Sequence, residues 1–177
     1  MKGLKYYTWS DYVRRFAWAI ATPFFAFSPR WLAGWRNWIL RSFGAQIGQR
    51  TLIFPSVKIA QPWKLSVGAD TVIAWQVVIY NLGYMRIGDR VVISQHAHLC
   101  GGTHDYEAPD FSLIKSDIAV GDDVWIAADA FVGPGCVIGR GAVVGARAVV
   151  TGRVNEQTVM AGNPARAIAT RNLRRQL

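Results

Sequence analysis

From Val120 onward every sixth residue is aliphatic: Val120, Ile126, Val132, Ile138, Val144 and Val150. The residue four further on is small or β-branched each time, as at Val124, Ala130, Cys136, Ala142, Ala148 and Val154. A helix repeats near 3.6 and a half-buried strand near 2, so neither produces this spacing. A six-residue period belongs to a parallel β-helix, in which short strands coil around a narrow core. Glycine or alanine often follows the aliphatic residue, as at Gly121, Ala127, Gly133, Gly139 and Gly145, where the chain is expected to turn tightly. The same register runs backwards as Ile47, Ile53, Ile59; Val67, Ile73, Ile79; and Ile87, Ile93, Leu99. Each triplet is one circuit of a three-sided prism. The pattern predicts an all-β solenoid of about five coils over residues 46–177.

Three steps depart from six. Ile59 to Val67 and Ile79 to Ile87 are eight residues each, and Leu99 to Val120 is twenty-one. All three follow the third hexad of a circuit, so the extra residues are expected to leave one corner and stack along one edge. Insertions confined to one face of a repeat array commonly build the working site. The long one, near residues 104–119, carries His104, Asp105, Glu107 and Asp110.

Residues 1–45 lack the hexad and are rich in aromatics. Ser28 and Pro29 read as an N-cap and first helical residue, followed by Trp31, Trp35 and Trp38 at i, i+4 and i+7, with Arg30, Arg36 and Arg41 interleaved. A stripe at this spacing usually faces a core, which makes the segment a helical cap over the open end of the solenoid. The other reading is a surface that lies in a membrane interface, where Trp and Arg are both favoured. Phe27 before Ser28 is a poor cleavage site for a signal peptide.

Half of the chain is hydrophobic, yet no apolar run is long enough to span a bilayer. The net charge of +9 is concentrated late, with seven Arg against one Glu from Arg140 to Leu177. No nucleic-acid motif accompanies that charge, which leaves a phosphorylated cofactor or a solvated face as its partner. Cys100 and Cys136 show neither metal-ligand spacing nor a disulfide framework, as expected of thiols in a reducing, cytoplasmic compartment. His96 and His98 form an H-x-H pair read as lying on one strand face, and are expected to hold no metal.

The hexads together with Cys100–Tyr106 (CGGTHDY), Ile118–Ala128 (IAVGDDVWIAA) and Ala161–Arg166 (AGNPAR) resemble the hexapeptide-repeat sugar O-acetyltransferases. The galactoside and maltose enzymes are among these, and the likeness is greatest to the colanic-acid biosynthesis acetyltransferases. The resemblance covers residues 45–170 and implies left-handed coiling, a homotrimer with sites between protomers, acetyl-CoA as donor and a saccharide, free or lipid-linked, as acceptor. It implies His104 as the general base, a role that suits an imidazole at neutral pH. Asp105 or Glu107 is a candidate to orient the ring. Asp105, Asn81 and Tyr84 are candidates to hold the acceptor, Tyr84 lying one circuit below His104 by hexad count.

For the donor the resemblance implies Trp125, Ala128, Ala146, Thr151 and Arg166. Gly152 departs from the galactoside enzymes, which carry Lys there, and Arg153 is the candidate substitute. By hexad count Trp125 and His104 stand at different corners, roughly 20 Å apart, so the implied site needs two chains. A noncatalytic β-helix scaffold and a zinc lyase on the same fold are the competing readings.

Overall fold

The computed structural model describes residues 7–172. The outermost residues of both segments, with Arg174 and Arg175, lie outside the described residues. Helix α1 (Trp9–Ala26) begins at a capping box, in which the Thr8 hydroxyl accepts from the Asp11 N–H and the Thr8 N–H donates to the Asp11 carboxylate. Helix α2 (Ala33–Ser42) follows after a short turn.

Six coils come next. The first is β1 (Gln46–Ile47), β2 (Leu52–Ile53) and β3 (Lys58–Ile59), and the second β4 (Leu65–Val67), β5 (Val72–Ile73) and β6 (Val78–Tyr80). The third is β7 (Met85–Ile87), β8 (Val92–Ile93) and β9 (His98–Cys100), after which β10 (Gly102–His104) and β11 (Leu113–Lys115) leave as an antiparallel hairpin. The fourth is β12 (Ile118–Val120), β13 (Trp125–Ile126) and β14 (Phe131–Val132), and the fifth β15 (Val137–Ile138), β16 (Val143–Val144) and β17 (Val149–Val150). The sixth has only β18 (Arg153–Val154) and β19 (Thr158–Gly162), because β20 (Ala165–Thr170) turns back antiparallel on β19. Stacked coils make three parallel walls, led by β1, β2 and β3.

The hexads point inward as expected. Every aliphatic residue of the series from Ile47 to Val150 is at most 8% exposed, and Cys136 is fully buried. The sequence count of about five coils misses the sixth for a local reason. Four residues, Gly133 to Cys136, turn the corner from β14 to β15, whereas only Thr151 and Gly152 turn it from β17 to β18. The inward step is therefore four rather than six, so Val154 stacks on Ile138 as the first aliphatic residue of a new coil.

The glycines after the aliphatic residues serve close approach more than turning. A Cβ on Gly68 would lie 2.6 Å from the Gly88 carbonyl carbon, and one on Gly139 would lie 2.5 Å from the Glu156 nitrogen. The left-handed backbone comes two residues later, at Arg50, Asp70, Arg90, Asp123 and Gly141.

The N-terminal helices differ from the sequence reading in detail. Leu32, not Ser28, stands at the N-cap of α2, and the Ser28 hydroxyl donates to the Phe25 carbonyl. The Trp31, Trp35 and Trp38 stripe faces outward, and the opposite face of α2 packs, through Arg36, Asn37, Ile39 and Leu40. Arg36 is fully buried: it donates to the carbonyls of Ile53, Pro29 and Arg30 and to the Ser28 hydroxyl, and burial lowers its pKa. Those acceptors offset the cost of taking a guanidinium out of water.

Candidate functional site

The three insertions leave the same corner, between the third and first walls, and stack there. Gly101 N–H donates to the Tyr80 carbonyl, Lys64 Nζ to the Leu82 carbonyl, and Tyr84 N–H to Asp117 Oδ1 at 2.7 Å. Glycine makes the exit possible: a Cβ on Gly101 would sit 2.9 Å from the Ser116 oxygen, and one on Gly102 2.7 Å from Leu82. From this base the hairpin lifts His104 out, pairing it with Leu113.

The His104 ring is exposed, and its Nδ1 lies 2.6 Å from the Phe111 carbonyl oxygen. A carbonyl only accepts, so Nδ1 carries the proton and donates it. In the neutral ring Nε2 then presents its lone pair, the state required of a base. Phe111 is one of ten non-glycine residues with positive φ among the described residues, at 46°, and the one that lies in the long insertion; its N–H donates to the Ala108 carbonyl. This uncommon conformation holds the carbonyl toward His104. The sequence carries no signal for Phe111, because its contribution is a backbone oxygen whose position depends on the loop.

Of the two carboxylates proposed to orient the ring, Asp105 is engaged elsewhere in the loop. Asp105 Oδ1 accepts from the Glu107 N–H, its own N–H donates to the Ser112 carbonyl, and Asp110 accepts from the Ser112 hydroxyl. These are turns closed by Asp side chains on nearby backbone and hydroxyls, and they shape the loop that carries Phe111.

Two acceptor candidates need correction. Asn81 is fully buried, with its Oδ1 accepting from the Gln61 N–H and its Nδ2 donating to the Gln61 carbonyl. Its amide ties two coils together and cannot reach an acceptor. Tyr84 is exposed but stacks beneath Asp117 rather than below His104, because the insertion returns to the wall before the register resumes.

The donor candidates fall on two sides of the chain. Trp125 stands half-exposed on the second wall and donates from Nε1 to the Ser94 hydroxyl, with Ala128 and Ala146 at the corner that follows. Thr151 is exposed at the hairpin's corner, two coils beyond it. Arg166 is exposed on β20, and Gly152 has a φ of +86°, a conformation that disfavours the Lys of the galactoside enzymes. One chain thus brings His104 and Thr151 together along one edge and Trp125, Ala128 and Ala146 along another.

A groove of about 780 Å³ runs between α1 and the third wall, lined by Trp18, Phe25, Lys58 and His96 among others, and it does not include His104. His96 sits in the turn before β9 with φ 62°, not on a strand, and its ring lies 6.3 Å from that of Trp75. His98 packs edge-on to Phe131, and burial lowers its pKa. The pair therefore does not share a strand face. Among the described residues no three His, Cys, Asp or Glu side chains are grouped to hold a metal.

The model for bacterial transferase hexapeptide repeats matches residues 117–152. A protein of Escherichia coli strain K12 named "Putative colanic acid biosynthesis acetyltransferase WcaF" is 44% identical over 105 residues, which are 59% of this chain and 58% of that protein. The chain thus spans under two thirds of that relative's length in the match. Among solved structures, a hexapeptide-repeat acetyltransferase of Vibrio cholerae O1 biovar eltor, complexed with acetyl coenzyme A, superposes with a TM-score of 0.85 and 22% identity, covering 93% of this chain and 91% of that one. A maltose O-acetyltransferase of Clostridium difficile 630 gives a TM-score of 0.84 and 23% identity, covering 92% and 88%. At these identities the likeness establishes the fold.

Proposed function

We propose that the chain is an acetyl-CoA-dependent O-acetyltransferase acting on a saccharide hydroxyl, a precursor of an exported polysaccharide of colanic-acid type. The observation that carries the chemistry is the Nδ1 contact of His104 with the Phe111 carbonyl, which selects the tautomer able to accept a proton at Nε2. His104 takes the proton of the acceptor hydroxyl as that oxygen bonds to the thioester carbonyl carbon. As the carbon–sulfur bond breaks, the same nitrogen returns the proton to the departing sulfur. Donor and acceptor class are supported by the Vibrio cholerae complex and by the names of the maltose and colanic-acid relatives.

Acetyl-CoA fits the small residues at its corner. Ala128 and Ala146 leave backbone open beside Trp125, and Arg166 supplies a cation for a phosphate. The exposure of His104 and its separation from Trp125 favour a homotrimer whose sites lie between protomers. The outward column of the second wall, from Leu52 through Val72, Val92, Trp125 and Val143 to Val159, is the apolar face suited to such a contact. The first wall's column, Gln46, Ser66, Arg86, Ala119, Val137 and Arg153, is mixed instead.

Acetyl transfer from labelled acetyl-CoA to maltose, galactosides, nucleotide sugars and lipid-linked saccharides tests the reading. His104→Ala should lose roughly 10²- to 10⁴-fold in kcat with CoA binding and melting unchanged, while Asp105→Ala should lose less than about tenfold. Near-parental turnover of His104→Ala would remove it from the mechanism.

A further inference from the structure

α1 is fixed on the solenoid by one face. Trp18 and Phe25 are buried on it, and Trp18 Nε1 donates to the Ile59 carbonyl at 2.8 Å. That attachment turns the larger aromatic set away from the protein. Trp9, Phe16, Ile20, Phe24 and Phe27 fall on the outer side at helical spacing, and Trp31 extends the row beyond the helix. Phe16 is 70% exposed, Phe27 88% and Trp31 82%, values that leave the row without a partner among the described residues. Isolated exposed apolar residues are ordinary, but a contiguous aromatic row marks an interaction surface.

The segment that carries the row is basic. Arg30 is exposed beside Trp31 with its guanidinium over the Phe54 ring, and Arg14 is exposed on the other side of α1 near Phe43 and Trp63, whereas the only carboxylate from Tyr7 to Ala45, Asp11, is held by the Thr8 cap. Its pKa is lowered by those hydrogen bonds, and α1, at 18 residues, spans roughly 27 Å. No helix among the described residues is long and apolar enough to cross a membrane. An amphipathic helix with an aromatic outer side, in a segment of net positive charge, lies in the plane of a lipid surface and is favoured there by anionic head groups. A second copy of the chain is the competing occupant, but the flat apolar column of the second wall already offers a face for that contact.

We propose that α1 and Trp31 dock in-plane on an anionic lipid surface. This deepens the acetyltransferase reading and rests on it for one consequence, the class of acceptor. Tyr12, at the margin of the row, packs edge-on to Tyr7 with centroids 6.0 Å apart, and the Tyr7 ring receives the Arg15 guanidinium at 4.6 Å and the Lys115 ammonium at 4.1 Å. Lys115 lies on β11, opposite Gly102 in the hairpin that carries His104. The docked face and the hairpin are therefore neighbours, and the acceptor is a saccharide carried on a lipid rather than a free sugar.

Flotation of the full chain with vesicles of mixed phosphatidylglycerol and phosphatidylcholine, and with phosphatidylcholine alone, tests the docking without any transfer assay. The parent should float with the anionic vesicles, and the triple variant Phe16→Ser/Phe24→Ser/Trp31→Ser should lose at least about tenfold in bound fraction. Its mass in solution and its melting temperature should match the parent's. His104→Ala should float like the parent, so a failed catalytic reading leaves this result untouched. A parent that stays at the bottom of the gradient overturns the docking, as does a triple variant that floats undiminished. A triple variant whose oligomer dissociates assigns the row to a second copy instead, and equal flotation on phosphatidylcholine alone overturns the anionic requirement.

Discussion

Ile73, Ile93 and Ile126 stack one above another in the wall, each fully buried, and each backbone bonds to the coil beside it. His104 takes its partner from seven residues along its own loop, a carbonyl that no coil repeats. In the wall, position is set by register, and any aliphatic side chain of suitable size fills the inward slot. In the hairpin, position depends on individual polar groups, such as Asp105 on the Glu107 N–H and Ser112 on Asp110. Stability is therefore spread over the repeat, while the proposed base stands where the repeat is interrupted.

The contrast is sharpest in opposite outcomes for two substitutions. Ile93→Ala should cost about 2–5 kcal/mol in denaturant unfolding, because the close-packed prism cannot collapse around the lost volume, and His104→Ala should leave that midpoint in place. A cost for Ile93→Ala no larger than for His104→Ala would erase the distinction.

Asn81 lies between the two regimes, in an insertion but buried. Asn81→Ala strands the Gln61 N–H and carbonyl and should cost roughly 1–3 kcal/mol, with kcat per folded molecule unchanged. A hundredfold loss of kcat at parental stability would return Asn81 to the acceptor site.

The smallest effect belongs to the ion pairs outside the wall. Hydrogen bonding from Arg90, reinforced by Arg140, holds the Asp123 carboxyl below the usual carboxylate range. A depressed folded pKa contributes stability above the unfolded value, near 4, and loses it as pH falls through the folded value. Thermal melts should therefore fall more steeply below about pH 4 for the parent than for Asp123→Asn. The difference should be slight, because the arginines are largely solvated. Identical acid profiles would show that the pair contributes nothing.

How far the sequence could be read follows from the same division. The inward residues of five coils were legible because coil stacking imposes one covalent spacing on every circuit. The sixth was not, since the Thr151–Gly152 corner shortens that spacing to four. The stacked insertions followed from counting, whereas the choice of His104 rested on its motif and the family resemblance as well. The Trp31, Trp35 and Trp38 stripe misled, because periodicity shows that a helix has two faces and not which one meets the protein. Packing decided that through Trp18, Arg36 and Leu40.

The amino-acid sequence by itself thus determined the solenoid, its inward register, the corner that carries the insertions and the place of His104 within them. Each of these is a property of spacing along the chain. Only the tertiary structure decided that the Phe111 carbonyl orients His104, that Asn81 ties coils instead of facing solvent, and that the aromatic row of α1 points away from the solenoid. Those are contacts between groups whose separation in sequence carries no information about their separation in space, and they exist only once the coils are stacked.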